Sequence, residues 1–140
     1  MIPVLRAGPA QFDCIRPAGF RILAALDNAS RLLTLNLELR CGTEGHAPDD
    51  PHTLGEAYDV RTRTLSTVQI LELVRVLQRS LPSLYFTVLL ETPTPFLEPS
   101  LVAIQYLNPH ATGPHLHIQR NAHSVYPPDD EASVHTGRSA

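Results

Sequence analysis

Residues 33–40, LTLNLELR, alternate without a break between leucine and a polar side chain. In an extended chain successive side chains point to opposite faces, so Leu33, Leu35, Leu37 and Leu39 share one face. Thr34, Asn36, Glu38 and Arg40 share the other, and the run reads as the clearest strand in the chain. Two helical patterns accompany it. Residues 16–32 carry Phe20, Ile22, Leu23, Leu26, Ala29 and Leu32 at near-helical spacing, with Pro17 suited to the first turn. Residues 66–80 open with Ser66 and Gln69 at capping-box spacing, and Leu65 and Ile70 occupy the two staple positions. Val68, Leu71, Val74 and Leu77 supply the predicted buried stripe of that helix, and Pro82 ends it.

Further strands are predicted at 84–91 (LYFTVLLE), 101–107 (LVAIQYL) and 115–119 (HLHIQ). The polar stretch 41–56 and the proline-broken TPTPFLEPS read as loops, and the tail after Tyr126 as disordered. Helices and strands segregate along the chain instead of alternating, which gives an α+β class: a small antiparallel sheet with two main helices. The 140 residues fit one domain, read as residues 1–126 with 127–140 as a tail.

Composition excludes several function classes. All 11 basic residues are arginine, so lysine Schiff-base chemistry is ruled out. A formal charge of −3 lacks the basic excess of a nucleic-acid footprint. No apolar run is long enough to span a membrane, and the opening MIPVLRAGPAQFDC lacks the apolar core of a signal peptide. Two cysteines, Cys14 and Cys41, make neither a disulfide framework nor a four-thiolate site; one bridge between them is open to the chain, and buried free thiols are the preferred reading.

The informative residues are histidines. In PHTLGEAYDVR (51–61), His52 and Asp59 stand seven apart, with Gly55 between them to let the chain turn sharply. In GPHLHIQ (113–119), His115 and His117 alternate along a predicted strand and so face the same side. Two imidazoles and one carboxylate around an open fourth position make a catalytic zinc site. His52, Asp59 and one of the His115/His117 pair can supply those groups. His46, Asp49 and Asp50 are alternative ligands by position but read as decoration of a solvated loop, and His123 and His135 as tail residues without a role. A cupin would need Glu three or four residues after the H-x-H, where Arg120 and Asn121 stand. A barrel amidohydrolase needs a chain of about 250 residues, and no G-x-S-x-G marks a serine hydrolase.

The segment from His52 through Gly55, Ala57 and Asp59 to Val60 resembles the H-x-x-G-x-A-x-D-[VI] signature of the zinc peptidases of family M15. These are the D-alanyl-D-alanine carboxypeptidases and phage L-alanyl-D-glutamate endopeptidases, with the hedgehog/DD-peptidase fold. HLHI at 115–118 resembles their later H-x-H strand, and the resemblance runs from about residue 33 to 119. It implies zinc held by His52, Asp59 and His117, with His115 supporting those ligands from behind or acting on the transition state. It also implies that Arg40, at the end of a strand twelve residues before His52, grips a substrate carboxylate. The substrate class implied is a peptidoglycan stem peptide or another small peptide. The chain departs from the family at Pro114, which stands where an acidic general base is usual. Glu91, closing the strand 84–91, is the substitute base of choice, and His110 is a second candidate. The alternative implied by Pro114 is a catalytically inactive, zinc-stabilised binding module of the same fold.

Overall fold

The structure is a computed structural model that describes residues 5–6, 8, 10, 12, 15–41, 50–52, 55–95 and 98–121. The thiol of Cys14, the side chain of Cys41, and His46, Asp49, His123, His135 and the tail 127–140 lie outside the described residues. The architecture is α+β: a mixed sheet in the order β1-β2-β3-β6-β4-β5, with two α-helices and one 3-10 helix. The strands are β1 (Leu5–Arg6), β2 (Leu37–Cys41), β3 (Ala57–Arg61), β4 (Phe86–Thr92), β5 (Gln105–Leu107) and β6 (His115–Arg120).

The central strands are antiparallel, β2 with β3, β3 with β6 and β6 with β4. The outer pairs β1–β2 and β4–β5 are parallel, which corrects the expectation of a purely antiparallel sheet. The cause at β5 is local. The predicted strand 101–107 begins instead as a 3-10 helix, Pro99–Ile104, whose proline suits a helical first turn and whose Leu101 is buried. That segment carries the chain back along β4, as a parallel partner requires.

Helix α1 (Pro17–Leu33) and helix α2 (Thr67–Ser80) pack on each other, α1 against β3 and β6, α2 against β4. The sequence expectation began the strand at Leu33, but the helix runs through Leu33 and is closed by Thr34 in the left-handed region (φ 55°). The N–H of Leu35 bonds back to the Ser30 carbonyl at 2.9 Å, so the last turn is satisfied before β2 starts. Leu35, Leu37 and Leu39 nevertheless all point into the core, as the alternation predicts.

Both helices bury part of the expected stripe, Ile22, Leu26 and Ala29 on α1 and Val74 and Leu77 on α2, and shift the rest. On α1, Phe20 and Leu32 face outward, and the buried face is Ala18, Ile22, Ala25, Leu26 and Ala29. Three alanines on that face let the helix sit close to the sheet. On α2, Val68 is exposed and Leu71 half-buried, while Ile70, Leu73, Val74 and Leu77 enter the core. The capping box is as expected: Gln69 N–H donates to Ser66 Oγ at 3.2 Å, and Ser66 N–H to Gln69 Oε1 at 2.8 Å.

One face of the sheet thus supplies the core, with Leu37, Leu39, Tyr58, Val60, Phe86, Val88, Leu90, Leu116 and Ile118 under the helices. The opposite face carries mostly polar residues, with Ala57 and Leu89 among them. Among the described residues no helix is long and apolar enough to cross a membrane.

Helix α1 also touches the loop that leads into β3. The N–H of Arg16 bonds to the Gly55 carbonyl at 3.3 Å, and a Cβ placed on Gly19 would stand 2.0 Å from that same oxygen. Gly19 is therefore required by close approach. Replacing it with alanine is expected to destabilise the protein by about 1–3 kcal/mol, the usual cost of overpacking. Gly113→Ala, which meets nothing within 4 Å, is the control and should be near neutral. Denaturant unfolding of both variants measures the difference.

Candidate metal centre

The polar face of the sheet gathers its side chains by strand register. Asp59 pairs with His117, and His117 on its other side pairs with Leu89. One step along, Arg61 pairs with His115, and His115 pairs with Glu91. Directly opposed residues on neighbouring strands have Cβ atoms about 5 Å apart. Three strands therefore bring Asp59, His115, His117 and Glu91 into one patch. His52 reaches it from the turn before β3. Gly55, at φ 71°, lets that turn fold back: its N–H bonds to the His52 carbonyl and the Glu56 N–H to the Pro51 carbonyl, both at 2.9 Å. Glu56 is then clamped to β6 by the Arg120 guanidinium, at 2.9 and 3.1 Å.

His52, Asp59 and His117 are all buried, at 5%, 9% and 8% exposure. His52 Nε2 lies 3.0 Å and His117 Nδ1 2.8 Å from Asp59 Oδ1, and all three donor atoms fall within 4.8 Å of one another. Tetrahedral ligands at zinc distances stand about 3.3 Å apart, so the donors need only small adjustments to share one ion. Burying two imidazoles and a carboxylate together is costly unless each is satisfied. A divalent cation satisfies all three. The group can hold a metal ion.

The surrounding contacts favour that use. The second nitrogen of each ring is also held, His52 Nδ1 by Asp50 Oδ1 at 2.9 Å and His117 Nε2 by Gln119 Oε1 at 2.7 Å. Beside the group, His115 Nε2 lies 2.8 Å from Glu91 Oε1 and 3.7 Å from Asp59 Oδ2, with its Nδ1 2.9 Å from the Gly113 carbonyl.

Burial alone would raise the Asp59 carboxyl. The hydrogen bonds and charges of His117 and His52 override it and hold Asp59 well below the usual carboxylate range. Glu91 is lowered chiefly by its hydrogen bond with His115. Burial pulls His115 and His117 down, but the Glu91 contact for the first and the Asp59 contact for the second leave both raised. The patch favours the ionised form of all four groups.

All six residues singled out from the sequence, His52, Asp59, His115, His117, Glu91 and Arg40, line one cavity of about 560 Å³, and so does His110. Arg40 reaches it where the β2–β3 register slips between Leu39 and Cys41, a bulge at the strand end. Its guanidinium donates to Thr112 Oγ1 at 2.9 Å. Pro114 is exposed, and its carbonyl accepts the Thr62 hydroxyl at 3.2 Å. Two contributors were missed. Asp50, read as loop decoration, holds His52, and Gln119 holds His117. Gln119 was legible, because it continues the i, i+2 series of His115 and His117 on the same strand face. Asp50 had only its D-x-H spacing as a signal.

The ionisation pattern fixes a pH dependence for the metal-free protein. A lowered carboxyl stabilises the fold above its ordinary pKa and loses that contribution as pH falls. A raised imidazole stabilises fully below its ordinary pKa and loses that contribution as pH rises. Asp59 and Glu91 act in the first way, His115 and His117 in the second. The chelator-treated protein is thus expected to melt highest between about pH 4 and 6.5 and to lose stability from pH 6.5 to 8. A metal ion needs the ligands without protons, so added zinc should stabilise increasingly across that second range. The gain is about 2.7 kcal/mol when free ion stands a hundredfold above its dissociation constant. Melting curves with zinc and with chelator check this. Equal curves at pH 8 would refute ion binding.

No family model matches the chain, and neither a curated protein nor a solved structure matches it.

Proposed function

We propose that the protein is a zinc-dependent peptidase that hydrolyses a peptide bond in peptidoglycan stem peptides, of the D-alanyl-D-alanine carboxypeptidase or endopeptidase type, on a hedgehog/DD-peptidase-like fold. The observation that carries the reading is the convergence of two buried imidazoles and a carboxylate on a polar cavity that also holds a second carboxylate–imidazole pair. The set of two histidines and one acidic residue with an open position is that of catalytic zinc. A zinc ion in that position supplies Lewis acidity, polarising a carbonyl and making water acidic near neutral pH.

The remaining chemistry falls to side chains. Glu91 takes the proton of the attacking water and passes it to the leaving amine as the C–N bond breaks. His115, held at Nε2 by Glu91 and at Nδ1 by the Gly113 carbonyl, brings the charge of its imidazolium beside the developing oxyanion. Arg40, on the same cavity, offers two parallel donors to a peptide carboxylate, and its contact with Thr112 steadies the guanidinium. The cavity lining is polar apart from Pro51 and Ala111, as suits a small polar peptide better than an apolar ligand.

One observation favours a second reading, a zinc-stabilised module that binds peptide without cutting it. Pro114 offers no acidic group at the position preceding His115, so base chemistry falls to Glu91 or His110.

The purified protein is expected to hold about one zinc per chain, and His52→Ala or Asp59→Asn to release it. Glu91→Gln should keep the metal yet lower hydrolysis of a D-Ala-D-Ala peptide by about 10²–10⁴-fold. Metal analysis beside a peptide-release assay separates these outcomes. Wild-type protein that retains the ion but cleaves nothing, with zinc or with cobalt, establishes the binding-module reading instead.

A further inference from the structure

Each candidate ligand histidine has both ring nitrogens engaged, and the two rings are engaged in opposite senses. His52 turns Nε2 to Asp59 and Nδ1 to Asp50, whereas His117 turns Nδ1 to Asp59 and Nε2 to Gln119. A neutral imidazole carries one proton, and when the nitrogen on the Asp59 side is given to a metal ion the proton stays on the other, facing Asp50 or Gln119. The acceptors are themselves anchored. Asp50 Oδ1 also accepts the backbone N–H of His52 at 2.8 Å, so its carboxylate is fixed within the turn that carries the ligand. Gln119 follows His117 by two residues on the same face of β6, and β3 and β4 flank that strand on both sides.

We propose that Asp50 and Gln119 are positioning residues that set opposite tautomers, His52 protonated on Nδ1 and His117 on Nε2, so that a metal ion is met by Nε2 of one ring and Nδ1 of the other. The inference rests on the metal reading above and adds to it the source of the geometry. The two acceptors are not equivalent. The ionised carboxylate of Asp50 makes the His52 ring more basic as a ligand than the amide of Gln119 makes His117. Asp50 therefore contributes charge as well as direction, and Gln119 contributes direction alone.

Long-range proton–nitrogen NMR spectra of the zinc-loaded protein test the assignment directly, since protonated and metal-bound ring nitrogens resonate apart. The expected spectrum has His52 protonated on Nδ1 and ligated through Nε2, with His117 the reverse. In competition with a chromophoric chelator, Asp50→Ala and Gln119→Leu should each weaken zinc binding about 10–100-fold. Asp50→Asn and Gln119→Glu keep an acceptor oxygen in place and should recover most of that loss. Circular dichroism of each variant separates a loss of affinity from a loss of fold. Reversed nitrogens in the wild-type spectrum overturn the proposal while leaving the peptidase reading intact. So do Ala and Leu variants that bind zinc as tightly as wild type. The predicted spectrum from a protein that cleaves no peptide upholds the proposal and removes the peptidase reading. Wild-type protein that takes up no zinc overturns both.

Discussion

The antiparallel pairing of β6 with β3 on one side and β4 on the other is the constraint on which everything else rests. It places Asp59 beside His117 and Glu91 beside His115, and it places Val60, Leu116 and Leu90 in one row beneath the helices. Because strand side chains alternate strictly, the polar row and the core row cannot be chosen separately. A slip of one residue in β6 would bury His115 and His117 under α1 and α2 and lift Leu116 and Ile118 to the surface. The apolar core thus enforces the register of the polar site. That is a more reliable hold than the site's own hydrogen bonds, which join buried charged groups at considerable desolvation cost.

Much of this was legible in the sequence, and the reasons are specific. The alternation of Leu35, Leu37 and Leu39 needs nothing beyond local geometry, and the Ser66–Gln69 capping box depends on residues three apart. The same holds for the i, i+2 placement of His115 and His117 and for the turn at Gly55. What failed depended on tertiary packing. Phe20, Leu32 and Val68 fit a helical period as well as their buried neighbours do, and only the direction from which the sheet approaches decides between them. The 3-10 turn at Pro99–Ile104 displaced part of a strand because Leu101 and, in part, Ile104, three apart and not an alternating series, go into the core.

The site divides along the same line. His52 and Asp59 sit within one short segment, and the Gly55 turn is enough to bring them together. Glu91 lies 24 residues before His115, and its nearness is a product of the β4–β6 register, which no spacing rule reveals. Asp50 illustrates the converse. It is close to His52 in sequence, but its part depends on a ring orientation that becomes defined only when Asp59 captures the other nitrogen.

The contact of Gly19 with Gly55 joins two parts of the molecule that are usually independent. The helix that seals the core rests, with no side chain between, on the carbonyl of the turn that presents His52. Any repacking that swells the space under α1, even one remote from the polar face, is transmitted through backbone to the imidazole. The fit of the oily interior and the placement of the His52 ring are consequently one property, and evolution cannot loosen the first without detuning the second.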